Sequence, residues 1–447
     1  MPMLTTIAHF CRRILNSLGY GWSQIWFQPM STIPLEVVRI GIGTLVFLHY
    51  AMATPYLFMF WGDTDWMPLD VAMTYVDSVW MQSLLFYFSE PWHWIAFHIL
   101  FLSCTAAFLL GWRTSYVKWI VLIGLISYEH RNMTIAYGVQ SITACLLFVM
   151  CFAPVGRAVS LDRLRAVRAA KRRDLEAVVA PYISPWAGAC TRLIQIQMVT
   201  LWFFSGIAKI RGDDWWNGDA VWHAVTTYEF YNPIVLAIAA PNYWLINIAT
   251  YATIVMEIVY PILVWQKSTR PFMLSCAFFL HLMFFLGLHL VYFSLVMLTG
   301  HLSFLHPDWL ASARVAWKRK MGDMEMVYDG RCAVCVRSMA WFLAFDGLGQ
   351  IAIRNFRTNP SPVVSDAQVE KALYTVLPDG RALAGFEAYR YVVLRVPGMW
   401  WMVPFFYTPV LSRLLGHPIY NWIAQNRARL SARSGENPGN LDSVARA

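Results

Sequence analysis

Along the first 310 residues, long apolar runs alternate with short polar loops. A helix needs roughly 20 apolar residues to cross a bilayer. Eight stretches approach that length, at about 35–59, 92–112, 116–129, 134–153, 187–209, 244–265, 271–289 and 291–306, the third and last being the shortest. The stretch 230–243 is broken by Pro233 and Pro241 and predicts a partly embedded helix. Ahead of the first span, Ile7, Phe10, Cys11, Ile14, Leu15 and Leu18 recur at helical spacing. Residues 1–33 therefore read as an amphipathic surface segment rather than a cleavable signal peptide. Residues 34–310 make the membrane domain, and 311–323 a basic linker. Beyond it the pattern turns to short strands and helices. Met324–Tyr328 and 351–356 read as strands, and 372–377 with 381–384 flank Pro378-Asp379-Gly380 as a hairpin. The run 391–410 is very apolar, but Arg395, Pro397, Pro404 and Pro409 argue against a span and for docking on the membrane or the other domain. Residues 433–447 read as a disordered tail.

Composition agrees with this division. Of 447 residues, 58% are hydrophobic and only 14% charged, against roughly 25% charged in a soluble domain. The net charge of +9 does not mark a nucleic-acid binder, because the basic residues cluster in short loops. Arg157, Arg163, Arg165, Arg168, Lys171, Arg172 and Arg173 occupy one loop. By alternation of spans, Arg12 and Arg13, Arg113 and Lys118, Lys267 and Arg270, and Arg314 with Lys318, Arg319 and Lys320 fall on the same side. The loop 62–91 has no lysine or arginine, and the loop 210–232 has one arginine against Asp213, Asp214, Asp219 and Glu229. The positive-inside rule then puts both termini in the cytoplasm.

One C-x-x-C occurs, Cys332-Ala333-Val334-Cys335, after a strand and the turn Asp329-Gly330-Arg331. A dithiol opening a helix there has a lowered thiol pKa, because N–H groups and the helix dipole favour thiolate, and Arg331 and Arg337 add positive charge. The alternative is half a zinc site, but the tail holds no second C-x-x-C or C-x-x-H, and His417 is its single histidine. The stretch Tyr328-Asp329-Gly330-Arg331-Cys332-Ala333-Val334-Cys335 resembles the signature of DCC-type thiol–disulfide oxidoreductases. Gly385-Phe386-Glu387-Ala388 and the segment from Tyr420-Asn421-Trp422 to Arg427 are similar to that family's closing pattern. Over 324–432 the resemblance implies a thioredoxin-like fold, with Cys332 attacking, Cys335 resolving, and Asp329 and Arg331 beside the bound partner. No proline is placed like the one that faces the dithiol in thioredoxins.

A second constellation ends the fifth span, where Gly206 and Lys209 precede Asp213, Asp214, Trp215, Trp216 and Gly218. Lys209 reads either as a snorkelling cation, paired with Asp213 or Asp214 beside an aromatic belt, or as a desolvated base. The G-x-x-K followed by W-x-x-G resembles the horizontally transferred transmembrane domain shared with vitamin K-dependent γ-carboxylases. Glu129-His130-Arg131-Asn132, Phe152-Ala153-Pro154 and the region from His281 to Pro307 add to that similarity. The resemblance implies an outward-facing site in which Lys209 deprotonates a hydroquinone, His130 stands near it, and Trp215, Trp216 and His281 bind substrate. The carboxylases' large extracytoplasmic domain has no counterpart here.

His281 and His289 are eight apart and so share one helix face, two turns apart. Haem or metal ligation by core histidines and plain helix–helix hydrogen bonding both fit the sequence. Walker A, H-E-x-x-H and G-x-G-x-x-G motifs are missing, which disfavours a P-loop ATPase, a zinc protease and a Rossmann dehydrogenase. The expected fold is an all-α polytopic bundle of about eight transmembrane helices plus a small thioredoxin-like α/β domain. The expected function is an inner-membrane oxidoreductase with a cytoplasmic dithiol, a thiol redox partner and a quinone or other hydrophobic substrate. A maturation or export factor for a secreted peptide, and a transporter or scaffold with a redox sensor, are the alternatives.

Overall fold

The computed structural model describes residues 21–63, 66–76, 81–169, 182–305, 307–322, 324–347 and 349–433. Most of the N-terminal amphipathic segment, the basic cluster Lys171–Arg173 and the C-terminal tail from 434 on lie outside the described residues.

The membrane domain is built from α1 (Ile33–Ala53), α2 (Pro91–Leu110), α3 (Thr114–Arg131), α4 (Gly138–Phe152), the loop helix α5 (Leu161–Ala169), α6 (Pro185–Ile210), α7 (Tyr243–Leu263), α8 (Arg270–Gly287) and α9 (Val291–His301). Five helical segments among the described residues are long and apolar enough to cross a membrane: Ile33–Trp61, Pro91–Leu110, Pro185–Ile210, Pro233–Leu263 and Arg270–Gly287. The protein is a multi-pass membrane protein. The fourth segment includes the Pro-broken stretch, where Asn232 caps the short helix Pro233–Ala239 ahead of α7. The remaining three expected spans are shorter (α4 and α9) or carry Lys118, Glu129 and Arg131 (α3). One face of α1 packs on α2 around a buried aromatic group of Tyr50, Trp61, Phe101 and Tyr128. His98 of α2 is satisfied there by the Tyr128 hydroxyl at 2.7 Å and by Thr54 at 2.9 Å, an interhelical hydrogen-bonding role.

A buried ion pair ties the loop 153–169 to the bundle. Arg39 Nε bonds Glu36 at 2.7 Å, and its other nitrogens donate to the carbonyls of Phe108, Leu109 and Val159. Glu36 in turn accepts from the N–H groups of Arg157 and Ala158. Buried charges persist only when paired and hydrogen-bonded in this way.

The linker forms a helix, α10 (Pro307–Met321). The C-terminal domain follows as β1 (Met324–Tyr328), α11 (Ala333–Phe345), β2 (Ile351–Asn355), β3 (Tyr374–Val376), β4 (Ala382–Ala384), α12 (Gly385–Arg395) and α13 (His417–Arg433). The sheet order is β2-β1-β3-β4, with β1 parallel to β2 and the other pairs antiparallel. The expected hairpin is present, its turn carried by Gly380 at φ +81°. The apolar run after Tyr391 folds into this domain. Val392, Val393, Val396, Met399 and Phe406 share one core with Met326, Met339 and Phe342. Leu164 and Val167 of α5 belong to the same core. The loop helix of the membrane domain therefore completes the C-terminal domain, and basic loop and dithiol lie at the same end of the molecule.

Candidate functional site

The dithiol sits where β1 delivers the chain to α11. Asp329 turns the chain: its carboxylate accepts from the N–H of Arg331 at 2.9 Å and its carbonyl from the N–H of Cys332 at 3.1 Å. Gly330 is required, since a Cβ there would lie 2.2 Å from Asn355, whose side chain accepts the Gly330 N–H. Arg357 locks the turn with two bonds to Asp329, at 3.0 and 3.1 Å, and a third to Glu370 at 2.9 Å. Burial pushes the Asp329 carboxyl up, but the bonds from Arg357 and Arg331 and the nearby guanidinium charges outweigh it, and the net shift is downward.

Cys332 caps α11, and its sulfur accepts the Cys335 N–H at 3.4 Å. Both cysteines are buried and unbridged. The Cys335 thiol donates to the Cys332 sulfur and lowers its pKa to about 6, against the opposing effect of burial; N–H groups and the charge of Arg427 add to the lowering. Cys335 moves the other way, because donating that proton and being buried both favour its thiol form. The pair is thus one thiolate and one protonated thiol. Local reading assigned the supporting charge to Arg331 and Arg337. The structure adds Arg427 from α13, nearly a hundred residues away. Its position inside the closing motif was the available signal.

At the opposite end of the bundle, Lys209 Nζ bonds Ser205 at 2.6 Å and Glu257 of α7 at 2.9 Å, under the Trp215 ring at 5.2 Å. The expected partners are corrected here. Asp214 approaches His223 at 3.8 Å, and the carboxylate on Lys209 comes from another helix. Gly206 makes this possible, since a Cβ there would meet Ile258 at 2.8 Å and Glu257 at 3.1 Å. Trp216 turns outward, with its indole N–H on the Ile210 carbonyl. His130 bonds the Gln82 carbonyl at 2.9 Å instead of joining Lys209. Next to His130, Glu129 lines a cavity of about 300 Å³ with His49, Tyr50, Trp61, Tyr128 and Asn132, and its buried Oε1 has no hydrogen-bond partner.

His281 is buried against Trp202 and His301, and neither of its ring nitrogens has a hydrogen-bond partner. The shared face with His289 does not exist. α8 ends at Gly287, and His289 adopts φ +56° in the turn before α9. Among the described residues no group of three or more His, Cys, Asp or Glu side chains is arranged to hold a metal ion.

Residues 27–309 match the HTTM domain family. The chain belongs to that family. Residues 326–433 match the DCC1-like thiol-disulfide oxidoreductase family, so an HTTM membrane domain is fused to a thiol–disulfide oxidoreductase domain. No curated protein and no solved structure matches significantly. The combination makes the protein a membrane redox protein.

Proposed function

We propose that the protein is a cytoplasmic-membrane thiol–disulfide oxidoreductase with eight spans, both termini inside, a thioredoxin-like dithiol domain facing the cytoplasm, and an outward-facing site for a quinol-like hydrophobic substrate. The observation that carries the redox role is the placement of the pair: two unbridged cysteines, with Cys332 at the cap of α11 and its sulfur accepting the Cys335 N–H at 3.4 Å, an arrangement that lowers the Cys332 pKa and raises that of Cys335. Cys332 attacks a partner disulfide and forms a mixed disulfide, releasing one partner thiolate. Cys335 loses its proton to that leaving thiolate and attacks Cys332, closing the Cys332–Cys335 bridge and freeing the partner's second sulfur. The strand order β2-β1-β3-β4 supports the thioredoxin-like reading. The packing of α5 on the dithiol domain supports a dithiol on the basic, cytoplasmic side.

The membrane site is supported by its chemistry. The Lys209–Glu257 pair can exchange a proton with a hydroxyl, and a separate aromatic cavity at Glu129, which Lys209 does not line, suits a planar ring. Dithiol and Lys209 are too far apart for direct exchange: the 24 helical steps of α6 from Pro185 to Lys209 span about 36 Å. A mobile hydrophobic carrier or separate partners must serve the two ends.

The test is quinol-dependent reduction of the Cys332–Cys335 bridge in proteoliposomes, the half-cycle that restores the dithiol after it has reduced a partner disulfide. Loss in both Cys332→Ser and Lys209→Met supports the linked reading. Unchanged activity in Lys209→Met removes Lys209 from it, and labelling of Cys332 by an impermeant maleimide in intact cells overturns the sidedness.

A further inference from the structure

A cavity of about 190 Å³ opens beside the dithiol helix, between α11, α12 and α13. Cys335 forms part of its wall, Leu373, Phe386, Tyr420 and Ile423 make it apolar, and Lys371 and Arg427 stand on it. The local carboxylates are already engaged, Asp329 and Glu370 both by Arg357. Neither Arg427 nor Lys371 has an ion-pair partner among the described residues. Arg427, whose charge already acts on Asp329 and Cys332, and Lys371, which has no ion pair among the described residues, leave positive charge on the wall beside a redox-active sulfur and favour a negatively charged ligand. The volume is below the roughly 300–1,000 Å³ of a full drug-sized ligand site. It fits the acid-bearing arm of a small molecule rather than a folded protein surface.

We propose that this cavity binds the carboxylate end of a low-molecular-weight thiol and its disulfide, with Arg427 and Lys371 as specificity-determining residues. The proposal rests on the dithiol reading above. With a small disulfide RS–SR, the Cys332 thiolate attacks one sulfur, the S–S bond breaks, and RS⁻ leaves and takes the Cys335 proton as RSH. The Cys335 thiolate then attacks the Cys332 sulfur and displaces the second RS⁻. Two electrons pass from the protein to the small disulfide, and the Cys332–Cys335 bridge forms. The reverse sequence makes the small thiol the reductant of the bridge. Arg427 has two parts here: it stabilises the developing thiolates and it attracts the anionic arm. Lys371 has only the second.

The experiment uses the reduced full chain in detergent and three probes of similar length: 3,3′-dithiodipropionate (anionic), bis(2-hydroxyethyl) disulfide (neutral) and cystamine (cationic). Oxidation rates are normalised to those of each probe with a simple thiol. The expected order is anionic, neutral, cationic, with the anionic probe at least about tenfold faster than the neutral one, and the advantage shrinking as salt rises. Lys371→Gln lowers the anionic-to-neutral ratio while leaving the neutral rate unchanged. Arg427→Gln lowers the ratio and also slows the neutral probe. A ratio near one in the wild type, with the neutral probe reacting readily, overturns the anion site and leaves the dithiol intact. Failure of all three probes to oxidise Cys332 overturns the dithiol reading and this proposal with it.

Discussion

Replacing Cys335 with alanine removes the donor that contributes most to the low pKa of Cys332, and the consequence is measurable. At a pKa of about 6, Cys332 is about 90% thiolate at pH 7, where an unperturbed thiol is only a few per cent ionised. The raw rate at pH 7 is a poor readout, because thiolate nucleophilicity falls with pKa at a Brønsted slope of about 0.4–0.5 and offsets most of the gain in population. The pH profile is a sound one. Iodoacetamide labelling of Cys332, resolved by peptide mass spectrometry between pH 4 and 9, should show a midpoint near 6 in the wild type. In Cys335→Ala the midpoint should rise by more than about one unit, since an S–H···S⁻ bond is lost while the helix N–H groups and Arg427 remain. The same thiolate stabilises the reduced state about tenfold at pH 7, making the bridge more oxidising by about 30 mV. A wild-type midpoint above pH 8, or an unchanged midpoint in Cys335→Ala, would refute the reasoning.

Asp329→Asn should loosen the turn that presents Cys332, at a cost of about 1–3 kcal/mol, read as a lower melting temperature of the dithiol domain. The folded pKa of Asp329 is depressed, so its contribution is present above the unfolded value near 4 and is lost as pH falls through the lower folded value. Wild type should therefore converge on the variant in strong acid, and a constant gap between pH 7 and pH 2 would count against this. Glu257→Gln leaves Lys209 without its carboxylate in the bundle and should destabilise the detergent-solubilised protein by about 3 kcal/mol; an unchanged melt would show that the pair contributes nothing. Val167→Asp places a charge in the core shared by α5 and the dithiol domain and should make α10 more sensitive to limited proteolysis, without altering the labelling midpoint of Cys332. Gly385→Ala is strained by φ +60° and would put a Cβ 2.8 Å from the Tyr420 hydroxyl. It should cost about 1–3 kcal/mol and disturb α13, visible as a shift in the Cys332 profile through Arg427.

Much of this architecture was legible because its signals are local. Hydropathy set out the long apolar segments, and the Pro378-Asp379-Gly380 turn and the alternation of short runs gave the sheet and its hairpin. The dithiol was legible from strand, turn and C-x-x-C together. The remainder depends on contacts distant in sequence. Glu257 reaches Lys209 only because Gly206 lets α7 approach α6, and nothing near Lys209 in the chain announces it, whereas the adjacent Asp213 and Asp214 were misleading. Arg357 and Arg427 reach the dithiol from β2's exit and from the last helix. Glu36 and Arg39 stand one turn apart at the start of α1, and nothing in the neighbouring sequence announces that they anchor the loop that carries the second domain. The His281–His289 pairing failed for a simple reason: periodicity assumes that a helix continues, and this one stops at Gly287.

The most direct test of the central claim is a redox titration of the membrane-embedded protein, trapping thiols with a mass-tagged maleimide across a series of dithiothreitol buffers. Cys332 and Cys335 should lose labelling together in one two-electron transition, absent in Cys332→Ser, while Cys335→Ser should accumulate a reductant-sensitive mixed disulfide at Cys332. Independent labelling of the two cysteines at every potential, with no mixed disulfide in Cys335→Ser, would contradict that claim.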